Sequence, residues 1–307
     1  MLKANNIDEY FKIIWYNETN YVVELTRGSV GGRKMADQEL RRLQLEELDI
    51  LNEFIRVCEE HGFRYYLLGG TLLGAVRHQG FIPWDDDVDV CMPREDYEKF
   101  IRLKRENFQK KYFMQMYQKK TSRYAWARLV TKNLKVINQM ANLPREEYAW
   151  IDIIPLDGMP DGAVERMIHK WKLSFWWNLN QIVQFDELVD QKRKRGTIGK
   201  LAVKAASGFR FLGKLIDYRV LLHHLNNELM KYPYDSDTKE VINFLAAYGF
   251  KETFRREAFA ETEKYDFEGI MMVGPKDADH VLSTIYGSYM ELPPEEDRNK
   301  HHLTIVE

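Results

Sequence analysis

The side chains best suited to chemistry lie between residues 68 and 90, LGGTLLGAVRHQGFIPWDDDVDV. Asp87 and Asp89 stand two apart in a period-two run that predicts a half-buried strand over 87–90, with both carboxylates on one face and Val88 and Val90 turned to the core. Like charges side by side repel. A hard divalent cation with oxygen ligands, Mg²⁺ first and Mn²⁺ second, is the usual means of offsetting them. Asp85 shares the parity of this pair and adds an outer ligand if the strand extends that far. Upstream, an expected strand Tyr65 to Leu68 runs into Gly69 and Gly70, and Thr71 can open a short helix. Glycines permit close backbone approach, and free N–H groups at a helix start favour a phosphate. Arg77 and His78 follow on that helix, where they can neutralise further phosphate charge. Asp152, flanked by Ile151 and Ile153 on an expected strand, is a third carboxylate; if its strand neighbours that of Asp87, it can ligate the same cation and help take a proton from an attacking hydroxyl. Phosphates and a divalent cation in one cleft imply phosphoryl-group chemistry, in which positioning and charge neutralisation do most of the catalysis.

Each signal has a plainer reading. An acidic triplet such as Asp85, Asp86 and Asp87 is often a solvated turn, a Gly pair is often only a turn, and Arg77 can equally be a surface residue. A calcium loop fits Asp85, Asp87 and Asp89 at its first, third and fifth positions, but its sixth would be Val90 rather than glycine and its twelfth Asp96 rather than glutamate.

The elements that must position these residues follow from periodicity and punctuation. Asp37 is a candidate N-cap for a long helix carrying Leu40, Leu43, Leu48, Leu51, Phe54, Ile55 and Cys58 at three- and four-residue spacings, with Gly62 as its stop. A helix is expected over 94–106, and strands over 112–117, 125–130, 135–140 and 150–156. This succession reads as an α/β or α+β core. From Gly162 the pattern turns to long helical stretches, broken near Gly196, Gly199, Gly208 and Pro233. A strand signal at 267–274, a helix at 277–287 and a Pro-rich tail then return to the core. The expected organisation is an N-terminal extension 1–36, with a short strand at Tyr21 to Leu25 and a glycine turn (Gly28, Gly31, Gly32), a catalytic core 37–160, a mostly helical insert 161–260, and a C-terminal segment 261–307 that packs back on the core.

Composition narrows the class. In 307 residues, 45 Lys and Arg oppose 47 Asp and Glu for a net charge of -2, and 45% of residues are hydrophobic. A globular chain of one or two domains is expected, without the basic excess of a nucleic-acid binder. Cys58 and Cys91 lie too far apart for a CxxC metal site and give no disulfide framework. No apolar run reaches the ~18–20 residues of a membrane span, and MLKANNIDEYFK lacks the layout of a signal peptide, so the expected location is cytoplasmic. The segment 171–219 mixes Trp171, Trp176 and Trp177, the run Lys192 to Arg195, and Lys200, Lys204, Arg210 and Lys214 with Leu201, Val203, Phe209, Phe211, Leu212 and Leu215. That composition suits either an ordinary amphipathic helix pair or peripheral contact with the inner face of a membrane.

The run YYLLGGTLLGAVRHQGFIPWDDDVDVCMPREDYEKF resembles the signature of the LicD family, which includes the fukutin-type transferases; WIDIIPLDG and STIYGSYMELPPEEDRNKH resemble its downstream blocks, so the likeness spans about residues 40–305. One departure is Ser288, where the family more often has Tyr-Gly-Asp-Tyr. The resemblance implies an α+β, nucleotidyltransferase-like mixed sheet flanked by helices. It also implies a Gly69-Gly70 turn beside nucleotide phosphates, a metal-binding Asp87 and Asp89 pair with Asp152 as third acidic residue, and a substrate role for Tyr286, Arg298 and His301 in the tail. The implied reaction moves phosphocholine, or a related alcohol phosphate, from a CDP-activated donor to a sugar hydroxyl of a cell-surface glycan of teichoic acid, lipopolysaccharide or capsule type, the acceptor being lipid-linked in many such pathways. Two other readings keep the residues: transfer of a nucleoside monophosphate, and a catalytically silent nucleotide- or glycan-binding protein.

Overall fold

A computed structural model describes residues 37–138, 144–189, 197–295, 298 and 303–306. The expected extension 1–36, the basic run Lys192 to Arg195 and His301 lie outside the described residues. The described residues open with α1 (Asp37–His61), whose apolar stripe buries Leu40, Leu43, Ile50, Leu51, Phe54, Val57 and Cys58. Full burial of each large side chain contributes about 1.5–3 kcal/mol. Gly62 ends the helix at φ +67°, a left-handed conformation that costs glycine little. Then come β1 (Tyr66–Leu67), α2 (Gly69–His78), β2 (Asp89–Pro93) and α3 (Arg94–Phe100). They are followed by β3 (Tyr112–Gln115), β4 (Ala127–Asn138) and β5 (Arg145–Met159).

The fold is α+β around a mixed sheet. Its main path runs β1-β2-β5-β4 and ends on β10 (Leu303–Ile305), and β3 also pairs with β4. The β2 and β5 strands are parallel, in register from Asp89 opposite Asp152 to Pro93 opposite Leu156. The remaining pairs of the path are antiparallel. Helix α1 packs on β4 and β5. Phe54 meets Tyr65 and Phe100 with ring centroids 5.3 Å apart in each case.

Four local expectations shift. The strand expected over 87–90 starts at Asp89, so Asp87 lies in the irregular approach to it. Helix α2 opens at Gly69 rather than Thr71, which places both glycines in its first turn. The two strands expected over 125–130 and 135–140 are one strand, β4, with an irregularity between Val130 and Lys135 that the alternation could not bridge. The helix expected to reach Glu106 ends at Phe100.

Beyond the sheet lie α4 (Ala163–Val183), α5 (Phe185–Leu188), α6 (Thr197–Gly208), a 3₁₀ turn Arg210–Lys214 and α7 (Tyr218–Leu229). Leu173 of α4 and Leu222, Leu225 and Leu229 of α7 share a core with Ile154 and Met159 of β5. The region expected to be mostly helical also holds β6 (Glu240–Ile242) and β7 (Thr253–Arg255), which continue the sheet from the end of β5. Last come the hairpin β8 (Thr262–Phe267) and β9 (Ile270–Pro275) and the helix α8 (Ala278–Tyr286). The hairpin turns through Glu268 and Gly269, both at positive φ.

Candidate active site

Three adjacent strands line up one charged row. Asp89 of β2 stands opposite Asp152 of β5, and Asp152 stands opposite Arg128 of β4. Partners in register point to the same face of a sheet, so the row projects together. Arg128 Nε donates to Asp152 Oδ1 at 2.8 Å, and Trp126 Nε1 donates to the same oxygen at 2.7 Å. Trp150 Nε1 reaches Asp152 Oδ2 at 3.3 Å. The guanidinium of Arg128 is also held over the rings of Tyr124 and Trp150, at 4.0 and 4.1 Å. Asp152 is therefore a fixed, ion-paired carboxylate, with Oδ2 its less committed oxygen.

The loop before β2 and the start of α2 close around the same place. Thr71 Oγ1 accepts the N–H of Asp89 at 2.9 Å and pins the start of β2 to the first turn of α2. Gly69 has φ +58°, and a Cβ there would lie 3.8 Å from Asp89 Oδ2 and 3.9 Å from the Tyr286 hydroxyl. At Gly70 a Cβ would come within 2.8 Å of Asp85 Oδ2, so a side chain there would displace that carboxylate. The glycine pair thus abuts the acidic loop.

Arg77 reaches the tail segment, donating to the Tyr289 carbonyl at 2.6 Å. Its Nε donates to His78 Nε2 at 3.0 Å. Its pKa is lowered by burial and by the charge of Arg298. Arg298 in turn lies over the Trp84 ring at 5.0 Å, and the His78 and Trp84 rings are 6.2 Å apart. Arg77, His78, Trp84 and Arg298 therefore form a neighbouring basic and aromatic group beside the acidic loop, joined to it through the field of Arg77 on Asp85.

Sequence reasoning missed several members. Gln44 donates to the Asp85 carbonyl at 3.0 Å, and Glu47, one helical turn further along α1, is buried. Glu47 Oε2 has no hydrogen-bond partner. Both residues lie among the buried positions of α1, and a polar side chain on an apolar stripe is the signal that would have found them. Glu252 is buried and accepts from Asn243 Nδ2 at 3.0 Å and from the Tyr248 N–H at 3.1 Å. Tyr286, which the sequence offered only through the family resemblance, is brought in by α8 and packs against Tyr248 with ring centroids 5.8 Å apart.

Electrostatics single the cluster out. Burial raises the pKa of Asp89, and the charges of Asp87, Asp152, Glu252 and Asp85 raise it further. Burial and the neighbouring Asp87 and Asp86 likewise raise Asp85. Asp87 keeps exposed surface, yet the protein around it and the charges of Asp86 and Asp152 push it up to about 7. Glu47 is raised by burial first and then by Asp87, Asp86, Asp85 and Asp152. The concentration of carboxylates exceeds what Arg77 and Arg128 offset.

Among the described residues, no three His, Cys, Asp or Glu side chains stand in a ready-made metal-ligand arrangement. The donor set still suits a hard cation: Asp89 stands among the like charges of Asp87, Asp152, Glu252 and Asp85, and an orphaned Glu47 oxygen lies in the field of Asp87. Two recesses, of about 630 Å³ beside Phe63 to Tyr66 and about 490 Å³ beside Tyr117 and Asn226, are lined by other residues.

Residues 62–187 match the model of the LicD/FKTN/FKRP nucleotidyltransferase domain. The chain carries a LicD-family domain. Over 273 residues, 86% of this chain and 96% of the relative, it is 29% identical to the lipopolysaccharide cholinephosphotransferase LicD of Haemophilus influenzae. Over 42 residues it is 55% identical to the ribitol 5-phosphate transferase FKRP of mouse and of human, a match that covers 14% of this chain and 8% of those proteins. The LicD-family match contains Gly69, Gly70, the row Asp89, Asp152 and Arg128, and the acidic loop; Glu47, Glu252, Tyr286 and Arg298 lie outside it.

Proposed function

We propose that this protein is a phosphotransferase that moves phosphocholine, or a related alcohol phosphate, from a CDP-activated donor to a sugar hydroxyl of a cell-surface glycan. The observation that carries the reading is the row Asp89, Asp152 and Arg128 across three strands, closed by an acidic loop and by the glycine-rich start of α2. Two relatives supply the reaction class, since one transfers cholinephosphate and the other ribitol 5-phosphate by their names. The family model's description supports a nucleotidyltransferase-like core.

In this reading the acceptor oxygen attacks the phosphorus that bears the small alcohol. The new P–O bond forms as the bond to CMP breaks, and CMP leaves with the bonding electron pair. The hydroxyl proton passes to a cleft carboxylate, for which Asp152 Oδ2 is the candidate. Asp87 and Asp89 would hold Mg²⁺ or Mn²⁺, with Asp85 behind them. Such a cation, when bound, neutralises charge developing on the phosphoryl oxygens. In this reading the backbone of residues 69–71, with Arg77 and His78, would face the donor phosphates, and Arg298 would border the substrate; His301 lies outside the described residues. A cytoplasmic location fits a CDP-linked donor.

The second reading, transfer of the nucleoside monophosphate itself, rests on the family model's description. Incubation with CDP-choline or CDP-ribitol and an acceptor glycan separates the two by mass. Free CMP with an alcohol phosphate added to the glycan is expected; CMP added to the glycan would favour the second reading, and no product from any CDP-linked donor would overturn the first.

A further inference from the structure

Helix α4 exposes a stripe that a water-facing helix does not need. Val164, Met167, Ile168, Trp171 and Phe175 are 65%, 48%, 44%, 51% and 46% exposed. At 100° per residue they fall on one face of the helix. Trp171 and Phe175 stack on each other with centroids 5.8 Å apart. By contrast, Trp176 stacks on His224, and Trp177 packs edge-on against Phe244 within the core between α4 and α7. The tryptophans of this segment thus divide into structural and outward-facing ones.

A second apolar group adjoins the far end of the same helix. The turn Arg210–Lys214 packs on α4, where a Cβ at Gly213 would collide with the Val183 carbonyl oxygen. Phe209, Phe211 and Leu215 are all more than half exposed there. Lys204, Arg210 and Lys214 are exposed around them. From 191 to 216 the sequence has no Asp or Glu, and its charged residues are Lys192 to Arg195, Lys200, Lys204, Arg210 and Lys214. A near-neutral chain thus has a stretch of one-signed charge, of which Lys204, Arg210 and Lys214 are described and exposed.

Among the described residues no helix is long and apolar enough to cross a membrane. Aromatic and aliphatic side chains that reach out between cations match the boundary of a bilayer, where rings enter the headgroup region and Lys and Arg meet lipid phosphate. One-signed charge interleaved with outward apolar side chains suits a continuous anionic boundary with an apolar layer beneath it. We propose that α4 and the 209–215 segment form a peripheral docking surface for an anionic lipid bilayer. This surface is independent of which group the active site transfers.

The test is co-sedimentation of the full chain with vesicles of phosphatidylcholine alone or with roughly a third phosphatidylglycerol. Binding to the anionic vesicles is expected to be at least about tenfold tighter, and to weaken as salt rises. Reversal of Lys204, Arg210 and Lys214 to Glu should erase the preference, and Trp171→Asp with Phe175→Asp should weaken binding about tenfold or more, with thermal melts reporting that both variants remain folded. No association with anionic vesicles, or binding indifferent to both sets of substitutions, would overturn the proposal. So would light scattering that shows a dimer abolished by the Trp171 and Phe175 changes, because a second copy would then cover this face.

Discussion

Two buried carboxylates, five residues apart on β5, have opposite surroundings. Asp157 is met by Arg94, whose Nε and Nη2 donate to its two oxygens at 2.7 and 2.6 Å, and Asn226 takes a further donor of the same guanidinium at 3.2 Å. Charge and hydrogen bonds are balanced there, and the pair ties α3 and α7 to the sheet. Asp152 also has its arginine, but its charge acts on Asp89, Asp87 and Glu47 as well, so several carboxylates share that one guanidinium's neighbourhood. A balanced buried pair fixes structure. An unbalanced cluster stores repulsion that binding of positive charge can release.

Breaking each region should therefore give opposite results. Asp89→Asn should lower turnover about a thousandfold or more, the scale expected when a group that positions transition-state charge is lost, while urea denaturation shows stability unchanged or higher. Steady-state CMP release and the denaturation midpoint, measured together, check this; loss of stability in step with activity would erase the contrast. Asp157→Ala should do the reverse, destabilising the fold by about 3–5 kcal/mol because it leaves Arg94 buried and unpaired.

Glu252 sharpens the comparison through pH. Burial raises its pKa to about 8 from an ordinary 4.5. As pH rises from 4.5 to 8, the unfolded chain gives up a proton that the folded chain keeps, so this residue's contribution to stability is complete below 4.5 and is lost through pH 8. Its removal in Glu252→Gln should flatten a decline on the order of a few kcal/mol in that window, read from denaturation curves at several pH values. The same reasoning applies at Glu47, where burial first, and then the charges of Asp87, Asp86, Asp85 and Asp152, favour the neutral carboxyl. Glu47→Gln should match the parent near pH 4, where the carboxyl is neutral in both states, and exceed it by about 1 kcal/mol or more at pH 9; equal stability at both would show that its charge is balanced after all.

Local pattern made much of this legible. The period of α1, the alternation around Asp89 and Asp152, and the glycine pair before a helix are written in neighbouring residues. Cross-chain partnership is not. Nothing near Asp152 names Arg128, nothing near Asp85 names Gln44 41 positions earlier, and Tyr286 reaches Gly69 only because α8 folds back over α2. Element ends also escaped. Thr71 predicted a helix start by capping preference, but no side chain caps α2, and its helical turn extends back to Gly69. The exposed face of α4 was blurred for a related reason: three tryptophans look alike in sequence, and the packing of α7 decides which of them face outward.

The spacing of Asp152 and Asp157 makes β5 a shared clock for both regions. Five is odd, so a pleated strand presents the two carboxylates to opposite faces of the sheet. Substitutions between them change size or polarity but keep this phase. One inserted or deleted residue would advance it by half a cycle, turning one carboxylate onto the other's side or an isoleucine into the cleft. Residues 152–157 should therefore be open to changes of letter and closed to changes of length, a constraint visible in any library that samples both.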